Sequence, residues 1–324
     1  MSDRLKMPLE RDFKFYQRRK HDKWREVPVP EPALEAPVAD SHAHVHMLPD
    51  PAWELARCSA NGVGFVCMIV DPSEDGPRPF DELESWKAAA KDFAADAASP
   101  APVAVSVAVG VHPHNAKLYD AETERELVGR LGDPRVVALG EIGLDYHYDL
   151  SPREVQRSVF RRQIAIAKEM GLPVALHLRG GDDPVADAAH AEAFGILQEE
   201  GFPEAGTLLH CCALPPEEIA PWIEAGCYIA YGGALTFKNA DAARVGARLV
   251  PEDRLLLETD SPYMTPEPMR GAACTPAHVV FTAARLADVR GVAPGSQRKG
   301  FLQQVYDNTL RFYGMMDGAT PKVT

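Results

Sequence analysis

The sequence predicts an α/β fold, a (β/α)8 barrel of the TIM type with an N-terminal extension, and three observations carry that prediction. From Val38 onward, short runs rich in β-branched and apolar residues alternate with longer segments of helical spacing. The runs number eight, at 38–45, 63–70, 103–112, 136–145, 173–180, 206–212, 227–233 and 255–262. Most are apolar on both faces, as strands of a parallel sheet covered by helices are, and eight strand–helix units make a barrel. An open doubly wound sheet would usually carry a glycine-rich phosphate loop after its first strand, and no GxGxxG is found here.

In chain order, residues 1–37 stand apart from the barrel at 38–324. Up to Glu26 they hold nine Lys or Arg against five acidic residues, followed by the Pro-spaced stretch VPVPEPALEAP. Such proline spacing favours an extended connector. The basic arm reads either as a contact for nucleic acid or a protein partner, or as a solvated extension draped over the fold. Among the helices, 152–170 is the clearest: Ser151 serves as a cap, Pro152 takes the first helical position and Gly171 ends it. Segments 184–200 and 276–288 also begin with proline.

Composition narrows the function. The chain has 324 residues, 46% hydrophobic and 25% charged, the balance of a folded globular protein. Its 34 basic and 47 acidic side chains give a net charge of −13. That argues against broad adhesion to duplex nucleic acid or to an anionic membrane, which draws on Lys and Arg. No apolar run approaches the roughly 18 residues a membrane helix needs, and the charged N-terminus has no signal core. Six cysteines, mostly within strand-like runs, read as reduced thiols in a cytoplasmic protein.

The histidines locate the chemistry. Of eleven, eight (His42, His44, His46, His112, His114, His147, His177 and His210) fall at or just past the C-terminal ends of predicted strands. Barrel enzymes build their active sites at that end. His42 and His44 are two apart on one strand, so both side chains point the same way. Glu141 and Asp260 add carboxylates at the ends of 136–145 and 255–262, while His177 and His210 close their own strands. This donor mixture suits Zn²⁺ or Mn²⁺, and Mg²⁺ where carboxylate and water dominate. Four imidazoles and two carboxylates exceed what one catalytic ion takes, so two divalent ions bridged by a carboxylate fit better. Such a pair acidifies a shared water and clamps the attacking and leaving oxygens of a displacement. Asp260 is placed to accept the proton of that water. Other residues read as structure: the adjacent Cys211 and Cys212 face opposite ways, and Asp145, His147 and Asp149 read as solvated loop residues at the exit of 136–145.

DSHAHVH, GVHPH, GEIGLDY, LHLR, HC, GGALTFKNA and ETDSPYMTPEPMRG follow one another in an order and spacing that resembles the TatD-type metal-dependent hydrolases, the TatD DNase family. The likeness spans residues 38–313. It implies a metal-dependent nuclease that cleaves phosphodiester bonds, typically a 3′-end exonuclease on DNA, with a nucleic-acid single strand or 3′ end as substrate. It further implies that His42, His44 and Asp260 bind a first ion, that His177 and His210 bind a second, and that Glu141 bridges them. By the same likeness His112 lies near the substrate phosphate, and Arg270 is a loop cation facing the mouth. The sequence departs from the family pattern at Cys212–Leu214, at Ala272–Thr275 and at His46, where the family often carries Asp. These departures bear on substrate rather than on the ligands. Two alternatives stay open: hydrolysis of another ester, such as aminoacyl-tRNA, and a binding or assembly subunit docking through the arm.

Overall fold

A short antiparallel hairpin leads into the barrel in the computed structural model, which describes residues 12–18, 23–30, 36–95, 101–183 and 188–316. Its strands β1 (Phe15–Arg18) and β2 (Trp24–Val27) pair Phe15 with Val27 and Arg18 with Trp24. Apolar contacts hold it down. Phe15 is fully buried, edge-on to Phe281 and under the Arg57 guanidinium, while Phe13 stacks on Trp53. Part of the basic arm is thus anchored to the barrel wall through its aromatic residues.

Eight parallel strands follow, hydrogen-bonded in chain order: β3 (Val38–Ala43), β4 (Val63–Val70), β5 (Ala104–Val109), β6 (Val136–Asp145), β7 (Val174–Arg179), β8 (Thr207–Leu209), β9 (Tyr228–Tyr231) and β10 (Leu255–Leu257). Just beyond β10 the chain returns to β3. His44 N–H donates to the Ser261 carbonyl (2.8 Å) and Asp260 N–H to the His42 carbonyl (2.9 Å). The barrel therefore closes at the His-x-His motif.

Six of the eight strands are shorter than predicted, and β8 and β10 are down to three residues each. β8 stops at Leu209 and β10 at Leu257 because Cys211 and Asp260 turn into the left-handed region (φ 48° and 56°), where an extended strand cannot continue. The intervening helices are α1 (Pro51–Ala60), α2 (Arg78–Ala94), α3 (Ala121–Leu131), α4 (Arg153–Met170), α5 (Ala189–Glu200), α6 (Pro216–Glu224), α7 (Asp241–Leu249), α8 (Val279–Val289) and α9 (Ser296–Phe312). Gly171 ends α4 in the left-handed conformation, as predicted. Ser151 does not cap it: its hydroxyl donates to the His114 carbonyl (2.7 Å) and accepts from Lys117 N–H (3.1 Å), tying two loops together. Of the segment 184–200, residues 184–187 lie outside the described residues and α5 begins at Ala189. Residues 276–278 form a tighter 3-10 turn ahead of α8.

The strands bury both faces differently. Val66, Met68 and Val70 of β4 pack outward under the helices. Inward, Ala39, Ala108, Ala138, Ala175 and Ala230 meet across a narrow lumen around Phe65 and Cys67. Phe312 and Tyr313 stop the N-terminal end of the barrel, and the Tyr313 hydroxyl donates to the Ser41 carbonyl (2.7 Å). With that end closed and apolar, polar side chains collect at the other. Among the described residues, no helix is long and apolar enough to cross a membrane.

Candidate metal centre

Glu141 stands at the middle of the C-terminal mouth, on the strand that runs furthest into it. Two glycines make room for that strand. A Cβ on Gly140 would lie 2.8 Å from the Ala175 Cβ, and one on Gly143 would collide with the His177 carbonyl oxygen. Gly143 also takes φ 148°, which other residues avoid.

The Glu141 carboxylate divides its neighbours by oxygen. Oε2 faces His42 Nε2 at 3.3 Å and His44 Nε2 at 3.8 Å; those rings lie 4.0 and 3.6 Å from Asp260 Oδ1. Oε1 faces His177 Nδ1 at 2.6 Å, His210 Nε2 at 2.9 Å and His112 Nε2 at 3.7 Å. All six predicted ligands thus converge, together with His112, on two sides of one carboxylate.

These groups fit divalent ions. Both ring nitrogens of His42 are buried with no hydrogen-bond partner, a costly state for an imidazole unless something else occupies its lone pair. Burial, then the neighbouring His210, keep its pKa down, so it stays neutral as a ligand must be. Burial alone would raise the Glu141 pKa, but the surrounding imidazoles, His210 foremost, hold it well below the usual carboxylate range. Among the described residues, three ligand-sized groups, His42–His44–Asp260, His42–Glu141–His210 and His112–His114–His177, each bring their donor atoms within 4.8 Å of one another.

Carboxylates behind the rings aim them. Glu258, fully buried, lies 3.4 Å from His210 Nδ1 and accepts the Cys211 N–H (2.6 Å), leaving Nε2 to face Glu141. Burial opposes charge on His210, yet Glu258 and Glu141 outweigh it and push its pKa well up. Asp145 is no solvated loop residue. It is fully buried, and one carboxylate oxygen meets His114 Nε2 (2.8 Å) and His177 Nε2 (3.0 Å). Its other oxygen accepts the N–H groups of His147 and Tyr148. His147 and Asp149 are exposed, as expected.

His112 presents a defined face. Its Nδ1 accepts the His114 N–H (3.1 Å), so a neutral ring carries its proton on Nε2, beside Glu141. Burial, then the charge of His177, lower its pKa well below the ordinary value. His46 pairs with Asp75 (2.9 Å).

The mouth opens into a cleft of about 550 Å³. Its wall includes His44, His112, His114, His177, Asp260 and the exposed Tyr148 and Tyr263. Arg270 stands outside it, its guanidinium stacked on Phe237 at 3.8 Å. The cation in the cleft wall is Arg179, two residues past His177 on β7. The LHLR motif contained it, but only the strand's orientation separates it from other arginines.

A closed (β/α)8 barrel with a carboxylate-centred cluster of imidazoles at its C-terminal mouth defines the class of metal-dependent barrel hydrolases. A family model described as TatD related DNase matches residues 39–314, and the chain belongs to that family. It is 33% identical over 264 residues to the Mycobacterium tuberculosis protein named uncharacterized metal-dependent hydrolase TatD, covering 78% of this chain and 90% of the relative. Over 186 residues, 57% of this chain and 70% of the relative, it is 37% identical to the uncharacterized metal-dependent hydrolase YabD of Bacillus subtilis. A Citrobacter koseri protein named 3′-5′ ssDNA/RNA exonuclease TatD is 33% identical over 190 residues, 57% of this chain and 70% of its own. The crystal structure of YJJV, a TatD homologue from Escherichia coli K12, shares the fold with a TM-score of 0.71 at 24% identity, covering 87% of this chain and 99% of that one.

Proposed function

We propose that this chain is a metal-dependent phosphodiesterase that shortens single-stranded nucleic acid from the 3′ end. The observation that carries the reading is the division of Glu141, with one oxygen toward His42 and His44 and the other toward His177 and His210. On this reading His42, His44 and Asp260 would hold one divalent ion and His177 and His210 a second, with Glu141 shared between the two sets. When bound, such a pair supplies positive charge at the reacting phosphodiester and acidifies water. Zn²⁺, Mn²⁺ and Mg²⁺ all remain compatible with the donors.

The chain's own groups do the rest. Asp260 lies in the cleft wall and takes the proton of the attacking water. His112, neutral and protonated on Nε2, donates to a phosphoryl oxygen as charge builds there. Asp145 keeps the His177 ring from turning, and Glu258 sets a negative charge behind His210. Ion charge at the site also explains how a protein of net charge −13 can take a polyanion. The relative named as an ssDNA/RNA exonuclease supports the choice of bond.

The test is end-labelled single-stranded DNA with purified protein, in EDTA and then in Mg²⁺, Mn²⁺ or Zn²⁺, beside Glu141→Ala. Expected is metal-dependent shortening from the 3′ end, reduced by at least about a thousandfold in the variant, in the range that loss of a central catalytic group costs. A protein that carries two ions per chain and leaves the strand intact would overturn the nuclease reading and turn attention to aminoacyl-tRNA.

A further inference from the structure

The cleft is electrically lopsided. One wall is the loop after β4, where Asp71, Glu74 and Asp75 crowd together. These acids are held in place: Asp71 accepts the His112 N–H (3.0 Å) and the Asn115 amide (3.0 Å), Glu74 accepts the same amide (2.7 Å), and Asp75 pairs with His46. A second phosphate could not lie against that wall without strong repulsion.

Three strands round the barrel from β4, at the end of β7, the wall is built the other way. Arg179 is exposed at the end of β7, and its guanidinium lies over the Tyr148 ring, 4.7 Å from the centroid. Tyr148 is itself 53% exposed and anchored beneath, its N–H on Asp145 and its ring edge-on to His114. Sheet register sets Asp145 directly beside Arg179. That carboxylate is already engaged by two imidazoles and two backbone N–H groups, so it does not neutralise the arginine. Among the described residues Arg179 has no carboxylate partner, and it is the sole Arg or Lys in the cleft wall. An unpaired guanidinium, flattened on an aromatic ring beside a cluster of predicted metal ligands, is pre-organised for a phosphate.

We infer that Arg179, laid on Tyr148, binds the phosphate of the nucleotide next to the scissile one, so that the single strand leaves the site over β7 and away from the loop at 71–75. The inference rests on the phosphodiesterase reading above. It assigns to Arg179 and Tyr148 the choice of a chain over a lone phosphodiester. It also sets the direction: the strand approaches across β7, where the cation lies, and is repelled from the acidic loop after β4.

The experiment is steady-state hydrolysis of a 5′-fluorescein-labelled single-stranded DNA octamer by the metal-loaded full chain, over a range of salt concentrations. The wild type is compared with Arg179→Met, Arg179→Lys and Tyr148→Leu, with thermal melting of each. For Arg179→Met the expected result is a KM raised about tenfold with a much smaller change in kcat, the cost of one charge-assisted contact. Its salt slope should flatten by about 0.7, the share of one phosphate on a single strand. Arg179→Lys should keep the slope and lose part of the affinity, since an ammonium does not lie flat on tyrosine. Tyr148→Leu should raise KM with the slope unchanged, and it carries the test if Arg179→Met melts early. Wild-type KM and slope in a folded Arg179→Met protein would overturn the inference and leave the phosphodiesterase standing. A wild type that does not shorten the octamer in any metal would overturn both.

Discussion

His278 makes the stability of this protein depend on pH in a way that can be isolated. It sits fully inside the fold between α1, α8 and the N-terminal hairpin, its ring 5.1 Å from Phe15. Its Nδ1 accepts the Thr275 N–H (2.9 Å), completing a capping box that starts the helical turn. Burial, and then the positive charge of Arg57, push its pKa down to about 3. An unfolded histidine titrates near 6.5. Between those values the unfolded chain binds a proton there that the folded protein refuses, so stability rises with pH across the window and falls as acid is added. From pH 7.5 to pH 5 the loss from this one group reaches about 2 kcal/mol, approaching 1.36 kcal/mol per pH unit once the pH is well below 6.5. His278→Gln removes the titration and keeps an acceptor for Thr275 N–H, Gln being a natural partner in a capping box. Urea unfolding at pH 7.5, 6 and 5 measures both proteins. The variant should lose about 2 kcal/mol less than the wild type between pH 7.5 and 5. The other buried histidines titrate equally in both and cancel in the difference, being distant from the change. Parallel curves for the two proteins would refute the reasoning, since they would mean that His278 takes up a proton in place.

Two further outcomes follow from the site's supports. Gly143→Ala should destabilise by roughly 3 kcal/mol, because the new methyl meets the His177 carbonyl and the backbone angle suits only glycine; a denaturation midpoint equal to wild type would show that β6 and β7 can part. Asp145→Ala should weaken divalent-metal binding about 10- to 100-fold in a chelator competition, since His177 loses the carboxylate that aims it; unchanged affinity would show that packing alone orients the ring.

Much of the fold was legible in the residues because parallel strands leave a plain record. Runs 63–70 and 136–145 coincide with β4 and β6, each buried almost throughout. The runs at 206–212 and 255–262 were overextended because apolar composition does not register a backbone turning left-handed at Cys211 and Asp260. The charged residues of the arm suggest a partner contact or an extension draped over the fold but give no sign of strand pairing, and it is Phe13 and Phe15 finding Trp53 and Phe281 that gives β1 and β2 somewhere to fold. Asp145 shows the same blind spot. It sits amid turn residues in sequence, yet the pleat of β6 sends it inward under two imidazoles.

By itself, then, the order of residues determined the barrel, the end of it that bears the chemistry and the donor types gathered there. Each of those follows from local periodicity: strand length, two-sided burial, and polar residues placed where strands stop. The tertiary structure alone decided which oxygen of Glu141 each histidine faces, which carboxylates stand behind the rings, and that Arg179 rather than Arg270 lines the cleft. Those are relations between strands far apart in the chain. Barrel closure and the pairing of those strands set them, and side-chain contacts across the mouth are made only once the strands have met.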